Sequence, residues 1–200
     1  AGGMAMANPD AAADIASAMV EANPDMAGDI ATGVAMSAPA AMEDVASTLI
    51  EANPDGAADM AAVLAETAPG AADNMMNTVA EISPEAALEV AGAMAEANPM
   101  AAEGTAGAIA EALPDLASDV AGAMAEANPE AAGAIAAGMA DANPEIAGDI
   151  AGAMMEAAPD AAAAIAEGVA AGAPDQAADV AGAMMEANPE MAGDIAGGMA

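Results

Sequence analysis

Lysine, arginine, histidine, cysteine, phenylalanine, tryptophan and tyrosine are all missing from this chain of 200 residues. Without lysine or arginine no side-chain salt bridge can form. The 33 acidic side chains leave a formal net charge of -33, to be neutralised by counterions, a bound metal or a basic partner, and their mutual repulsion favours expansion. Nucleic acid is excluded as a direct partner, because phosphate contacts need cationic side chains; an anionic membrane surface is disfavoured for the same reason. Without cysteine there is no disulfide and no clue to redox compartment, so localisation stays unknown. The missing histidine, cysteine, lysine and tyrosine are the usual bases and nucleophiles of enzymes. No basic segment precedes an apolar run, so no signal peptide is expected. Nowhere do 18 apolar residues run without a proline or carboxylate, and no transmembrane helix is expected.

Hydrophobic residues make up 57% of the chain, mostly alanine, with methionine, isoleucine, valine and a few leucines as the larger side chains. Each buried alanine removes little area from water, so stabilisation per residue is low at roughly 25 cal/mol per Å². Thin, closely spaced helix layers suit this composition better than a thick core.

The 13 prolines stand at 9, 24, 39, 54, 69, 84, 99, 114, 129, 144, 159, 174 and 189, a constant step of 15. A fixed period marks a repeat architecture. The consensus is A-N-P-[DE]-x-A-x-D-[IV]-A-G-A-M-x-E. Asn8-Pro9-Asp10, Asn23-Pro24-Asp25, Asn53-Pro54-Asp55, Asn128-Pro129-Glu130, Asn143-Pro144-Glu145 and Asn188-Pro189-Glu190 read as helix starts. Asparagine is a strong N-cap, proline suits the first helical position, and a carboxylate next in line faces the positive end of the helix dipole. Ser83-Pro84-Glu85 follows the same logic with serine. The residue before proline is pushed out of helical geometry, which ends the preceding helix. The spacing predicts one helix of about 12 residues per unit, joined by turns of about two or three residues.

Counting from each proline, positions +1, +5 and +12 fall within about 40° of one another on a helical wheel and carry the acids. The bulky apolar positions +6 and +10 lie opposite: Ile15/Met19, Ile30/Val34, Val45/Leu49, Met60/Leu64, Val90/Met94, Val120/Met124, Ile150/Met154 and Val180/Met184. Alanine and glycine fill both flanks. Such a helix suits a two-layer stack, with bulky residues facing the other layer and small residues meeting neighbours in the same layer. Gly138, Gly168 and Gly198 at +9 alternate with Ala123, Ala153 and Ala183, which hints at a two-helix unit. The expected fold is therefore all-α, an α-solenoid of thirteen 15-residue single-helix repeats arranged as antiparallel hairpins. Residues 1–7 form a lead-in and 8–200 a continuous array, about 60 Å long if six hairpins advance by about 10 Å each. Gly92, Gly107, Gly122, Gly152, Gly182 and Gly197 at +8 run against this pattern, each costing about 1 kcal/mol relative to alanine.

The run Pro174-Asp175-Gln176-Ala177-Ala178-Asp179-Val180 resembles, in repeat style, short-helix superhelical domains such as the cytoplasmic N-domain of MgtE-type magnesium transporters. The resemblance implies a helical superhelix and carries no activity. The strict period and missing residue types fit a designed sequence as well as a natural one.

The candidate binding residues are the carboxylate pairs Asp10/Asp14, Asp25/Asp29, Asp55/Asp59, Glu145/Asp149, Asp175/Asp179 and Glu190/Asp194, like charges at i and i+4. Each such pair destabilises a helix by a few tenths of a kcal/mol, on the order of 0.2–0.5, so a cation between its members would help. Calcium prefers about six to eight oxygens, whereas one helix face offers two. No cofactor is therefore expected: a solvated acidic face is the main reading of these pairs, and weak Ca²⁺ binding the alternative. The methionines at helical spacing read as core; in the doublets Met154-Met155 and Met184-Met185 the second turns toward a flank, where a groove for a partner helix could lie. The threonines are out of register for a ranked ice-binding face.

No catalytic constellation is expected. The primary functional reading is a non-enzymatic structural or spacer protein with a strongly acidic surface, able to self-associate into filaments or arrays. Its rivals are a Ca²⁺-responsive binding or assembly module and an acidic scaffold for a basic protein.

Overall fold

A computed structural model of the chain describes residues 11–37, 45, 48–50, 53, 56–67, 76, 79–80 and 84–199. The fold is all-α, and no strand occurs among the described residues. Two compact units are present, Ala1–Asn98 and Pro99–Ala200.

The first unit holds α1 (Ala12–Ala22), α2 (Ala27–Ser37), α3 (Ala57–Thr67) and α4 (Pro84–Ala97). Helices α2, α3 and α4 pack side by side, α2 on α3 and α3 on α4, while α1 packs against α2. The second unit holds α5 (Ala102–Ala112), α6 (Ala117–Ala127), α7 (Ala132–Ala142), α8 (Ala147–Ala157), α9 (Ala162–Gly172), α10 (Ala177–Ala187) and α11 (Ala192–Gly198). Here alternate helices are neighbours: α5, α7, α9 and α11 form one layer and α6, α8 and α10 the other. Consecutive helices touch across the layers.

The core lies between the layers and is built from the bulky side of the wheel. Ile30, Val34, Met60, Leu64, Val90 and Met94 are buried in the first unit, and Val120, Met124, Ile150, Met154, Val180 and Met184 in the second. Alanines at +3 and +7, such as Ala117, Ala121, Ala147 and Ala151, are buried beside them. Small side chains there let helices of one layer approach closely, which compensates for the modest area each residue removes from water. Helix α1 differs: Ala12, Ala16 and Val20 are buried, while Ile15 and Met19 are only half-buried.

Junctions between helices are tighter than the expected turns of two or three residues. Most α-helices span 11 residues, and at Pro24, Pro129, Pro144, Pro159, Pro174 and Pro189 a 3₁₀ turn of 3 residues comes first. A single residue then links one helix to the next turn. Asn143 shows how: its N–H donates to the Met139 carbonyl (2.9 Å), closing α7, and its carbonyl accepts from the Ile146 N–H (3.4 Å), opening the turn into α8. Its backbone sits at φ -141°, ψ 81°. Steric conflict with the following proline ring holds this residue out of the helical region. No residue among those described has positive φ, so no glycine is needed for the reversal.

Asparagine caps the helices unevenly. Asn23, Asn143 and Asn188 make no side-chain capping bond, whereas the Asn128 Oδ1 accepts from the Ala131 N–H at 3.2 Å. The side-chain amide nitrogen also reaches sideways at two junctions. The Asn98 Nδ2 donates to the Ala65 carbonyl (2.8 Å) and the Asn143 Nδ2 to the Ala110 carbonyl (3.5 Å), both in the neighbouring helix of the same layer. Ser83 lies outside the described residues.

Candidate functional site

Every carboxylate whose exposure is described faces solvent. Of the predicted pairs, Asp10 and Asp55 lie outside the described residues. Asp25 sits in the turn before α2, and Asp29 in the first turn of that helix. Asp14 and Asp59 occupy the first turns of α1 and α3, and Asp149, Asp179 and Asp194 those of α8, α10 and α11. Glu145, Asp175 and Glu190 stand in the preceding 3₁₀ turns. Each is therefore near the positive end of a helix dipole, which offsets part of the like-charge repulsion within the pair.

The packing brings some of these groups into register. Asp119, Asp149 and Asp179 occupy the same turn of α6, α8 and α10, which lie side by side. Glu126, Glu156 and Glu186 repeat the arrangement in the last turn and are exposed. The layer of α5, α7, α9 and α11 is sparser, with Gly104, Ala134 and Ala164 at the +5 position of α5, α7 and α9. Among the described residues no group of three or more carboxylates converges in a way that could hold a metal ion.

A second feature is a shallow groove of about 230 Å³ lined by Gly133 of α7 and Ala164, Glu167, Gly168 and Ala171 of α9. It opens where glycines bring the two helices together. A β-carbon at Gly168 would fall on the Gly133 carbonyl, and one at Gly133 would stand 2.9 Å from the Ala164 carbonyl. Position +9 marks Gly168 in the sequence, whereas nothing there singles out Gly133, at +4; that a groove lies between them depends on the helix register, which periodicity alone does not supply. The groove offers one charged side chain, Glu167, on an otherwise methyl-and-backbone wall.

Two hydroxyl groups bond within their own helices. The Thr32 hydroxyl donates to the Gly28 carbonyl (2.8 Å) and the Ser37 hydroxyl to the Gly33 carbonyl (2.6 Å). Each is a helical back-bond rather than a link to a base. Of the methionine doublets, Met154 and Met155 are both buried, whereas Met184 is buried and Met185 is 39% exposed. Among the described residues no helix is long and apolar enough to cross a membrane.

Comparison with protein-family models, with curated proteins and with solved structures finds no match for the chain.

Proposed function

We propose that the chain is a non-enzymatic structural spacer, an α-solenoid of thirteen 15-residue units continuous over residues 8–200, whose acidic outer face keeps it hydrated. The single observation that supports this reading most is the division of labour along the helices. The +6 and +10 side chains are buried from α2 to α10, and every carboxylate with a described exposure is turned to water. The proline step of 15 also runs unbroken through Pro84, Pro99 and Pro114, across the boundary of the two units. A surface of one sign favours solubility and discourages chance contact with other acidic surfaces.

The registered acids of α6, α8 and α10 favour a second reading, in which divalent cations bind weakly between neighbouring helices and tune stability or assembly. Far-UV circular dichroism separates the two. Spectra would be recorded in low salt with chelator, then during titrations of CaCl₂ and NaCl at matched ionic strength. A spacer is strongly helical throughout and responds equally to both salts. Helicity that appears only with calcium would overturn the spacer reading in favour of the cation-responsive one.

A further inference from the structure

Methionine supplies all of the sulfur in the chain: 19 residues, with no cysteine, and no tryptophan, tyrosine or histidine to compete for an oxidant. The fold divides these thioethers into two classes. Met124, Met139 and Met154 are 0% exposed and lie in the apolar layer between helices, whereas Met36 is 77% exposed and Met100 97%. Both exposed residues occupy places that the repeat elsewhere gives to acids. Met100 stands at +1, in the turn after Pro99, where the next three units carry Asp115, Glu130 and Glu145. Met36 stands at +12, in the last turn of α2, where other units carry Glu66, Glu96 and Glu126. All six of those acids are exposed.

Position decides what an added oxygen does. Oxidation turns the flexible apolar side chain of methionine into a polar one. At Met36 and Met100 the product meets water, at sites where the repeat tolerates a full charge, so the helices lose no packing. In the core it meets no free donor: among the described residues Thr105 is the sole buried polar or charged side chain. An unpartnered sulfoxide opposes burial, and a close-packed interior resists the extra atom. The core sulfurs are therefore guarded by the fold itself, and a peroxide reaches them only when a helix opens.

We propose that Met36 and Met100 are modification sites at which the folded chain takes up oxygen from hydrogen peroxide, reversibly and without losing its helices. The thioether sulfur attacks one peroxide oxygen. An S–O bond forms as the O–O bond breaks, that oxygen stays on sulfur as a sulfoxide, and the other leaves as water once the proton has moved across to it. Sulfur gives up two electrons and the peroxide accepts them. An uncharged oxidant suits this surface, because a net charge of -33 repels anionic ones. The sulfoxide is a substrate for methionine sulfoxide reductases, which restore the thioether. The inference goes beyond the spacer reading and requires only that the helices are folded.

Hydrogen peroxide added to the 200-residue chain, with the oxygen gained at each methionine followed by mass spectrometry of its peptides and helicity by circular dichroism, tests it. Met36 and Met100 should gain oxygen at least about tenfold faster than Met124 and Met139 while the helical signal holds. Methionine sulfoxide reductases with a thiol reductant should then remove the early oxygens. In urea the difference in rate should vanish, and the chain oxidised there should fail to regain its helices when the urea is removed. A chain carrying both Met36→Leu and Met100→Leu should stay helical and lose those two oxygens from the fast phase. Equal rates at the four methionines of a helical chain would overturn the proposal. So would helicity lost in step with oxidation at Met36 and Met100 and preserved under peroxide in the double variant. A coil before any peroxide is added sinks the spacer reading together with this one, since no sulfur is then protected; the other two failures leave the spacer reading standing.

Discussion

At Gly138, Gly168 and Gly198 a single methyl group decides whether two helices can touch. A β-carbon there would fall on the carbonyl oxygens of Glu103, Gly133 and Ala163, respectively, well inside van der Waals contact. Backbone cannot move aside as a side-chain end can, so Gly138→Ala or Gly168→Ala should lower stability by about 1–3 kcal/mol despite alanine's better helix propensity. The +8 glycines of the other layer behave oppositely. A β-carbon at Gly152 or Gly182 meets nothing within 4 Å, and one at Gly122 would stand 3.5 Å from the Ala153 carbonyl. Gly152→Ala and Gly182→Ala should each raise stability by about 0.5–1 kcal/mol, the propensity difference. Thermal and urea unfolding followed at 222 nm would show the opposite signs. The +8 glycines, unexplained by the wheel, thus divide into those under contact, such as Gly107 at 3.0 Å from the Gly138 carbonyl, and those merely tolerated.

The helices owe their boundaries to proline more than to asparagine. Ala158, Ala173 and Leu113 occupy the junction with φ from -129° to -133°, close to the -139° of Asn128, and their helices close in the same way. Pro144→Ala, which restores an N–H and frees the preceding residue, should cost about 0.4–1 kcal/mol through the unfolded chain and loosen the α7–α8 junction. Asn143→Ala should cost less than Asn98→Ala. The lateral bond from Asn143 is 3.5 Å long and that from Asn98 is 2.8 Å, worth about 0.5–1.5 kcal/mol when well made. Among the described residues, the helices and the burial of +6 and +10 from α2 to α10 could be read from the proline step and the wheel. What could not be read was the sideways use of Asn98 and Asn143, because a short side chain beside a carbonyl 33 residues away depends on how helices stack. Ile15 and Met19 share the pattern of Ile150 and Met154, yet lie half-open, since burial depends on neighbours as well as on the residue's own place in the repeat.

Over the molecule as a whole, the chain sets a thin apolar interior against -33 charges with no cation to answer them. Repulsion is long-ranged at low salt, with a Debye length of about 30 Å at 0.01 M and 10 Å at 0.1 M. Raising NaCl across that interval should therefore raise the midpoint of thermal unfolding, and sodium sulfate should raise it further by strengthening apolar burial. If calcium acts only by screening, CaCl₂ at matched ionic strength will give the same midpoint as NaCl. A higher midpoint with CaCl₂ would assign the registered acids Asp119, Asp149 and Asp179 a binding role. The candidate residues themselves were plain in the sequence, because acids recur at +1 and +5 in many of the units. Their alignment across α6, α8 and α10 was not, since it arises from which helices lie in one layer.

That alternation gives the repeat a parity. Removing residues 144–173, two units, would take out α8 and α9 together and leave α10 and α11 in their own layers, with Gly198 still in the layer where helices touch most closely. Removing 144–158 alone would shift α9 into the layer of α6, carry Gly168 away from Gly133 and bring Ala183 to a position that has room only for hydrogen. The protein should shorten gracefully by even steps and poorly by odd ones. Any process that lengthens or trims such a gene by slippage would then leave a trace in the surviving forms, as array lengths that differ by pairs of units.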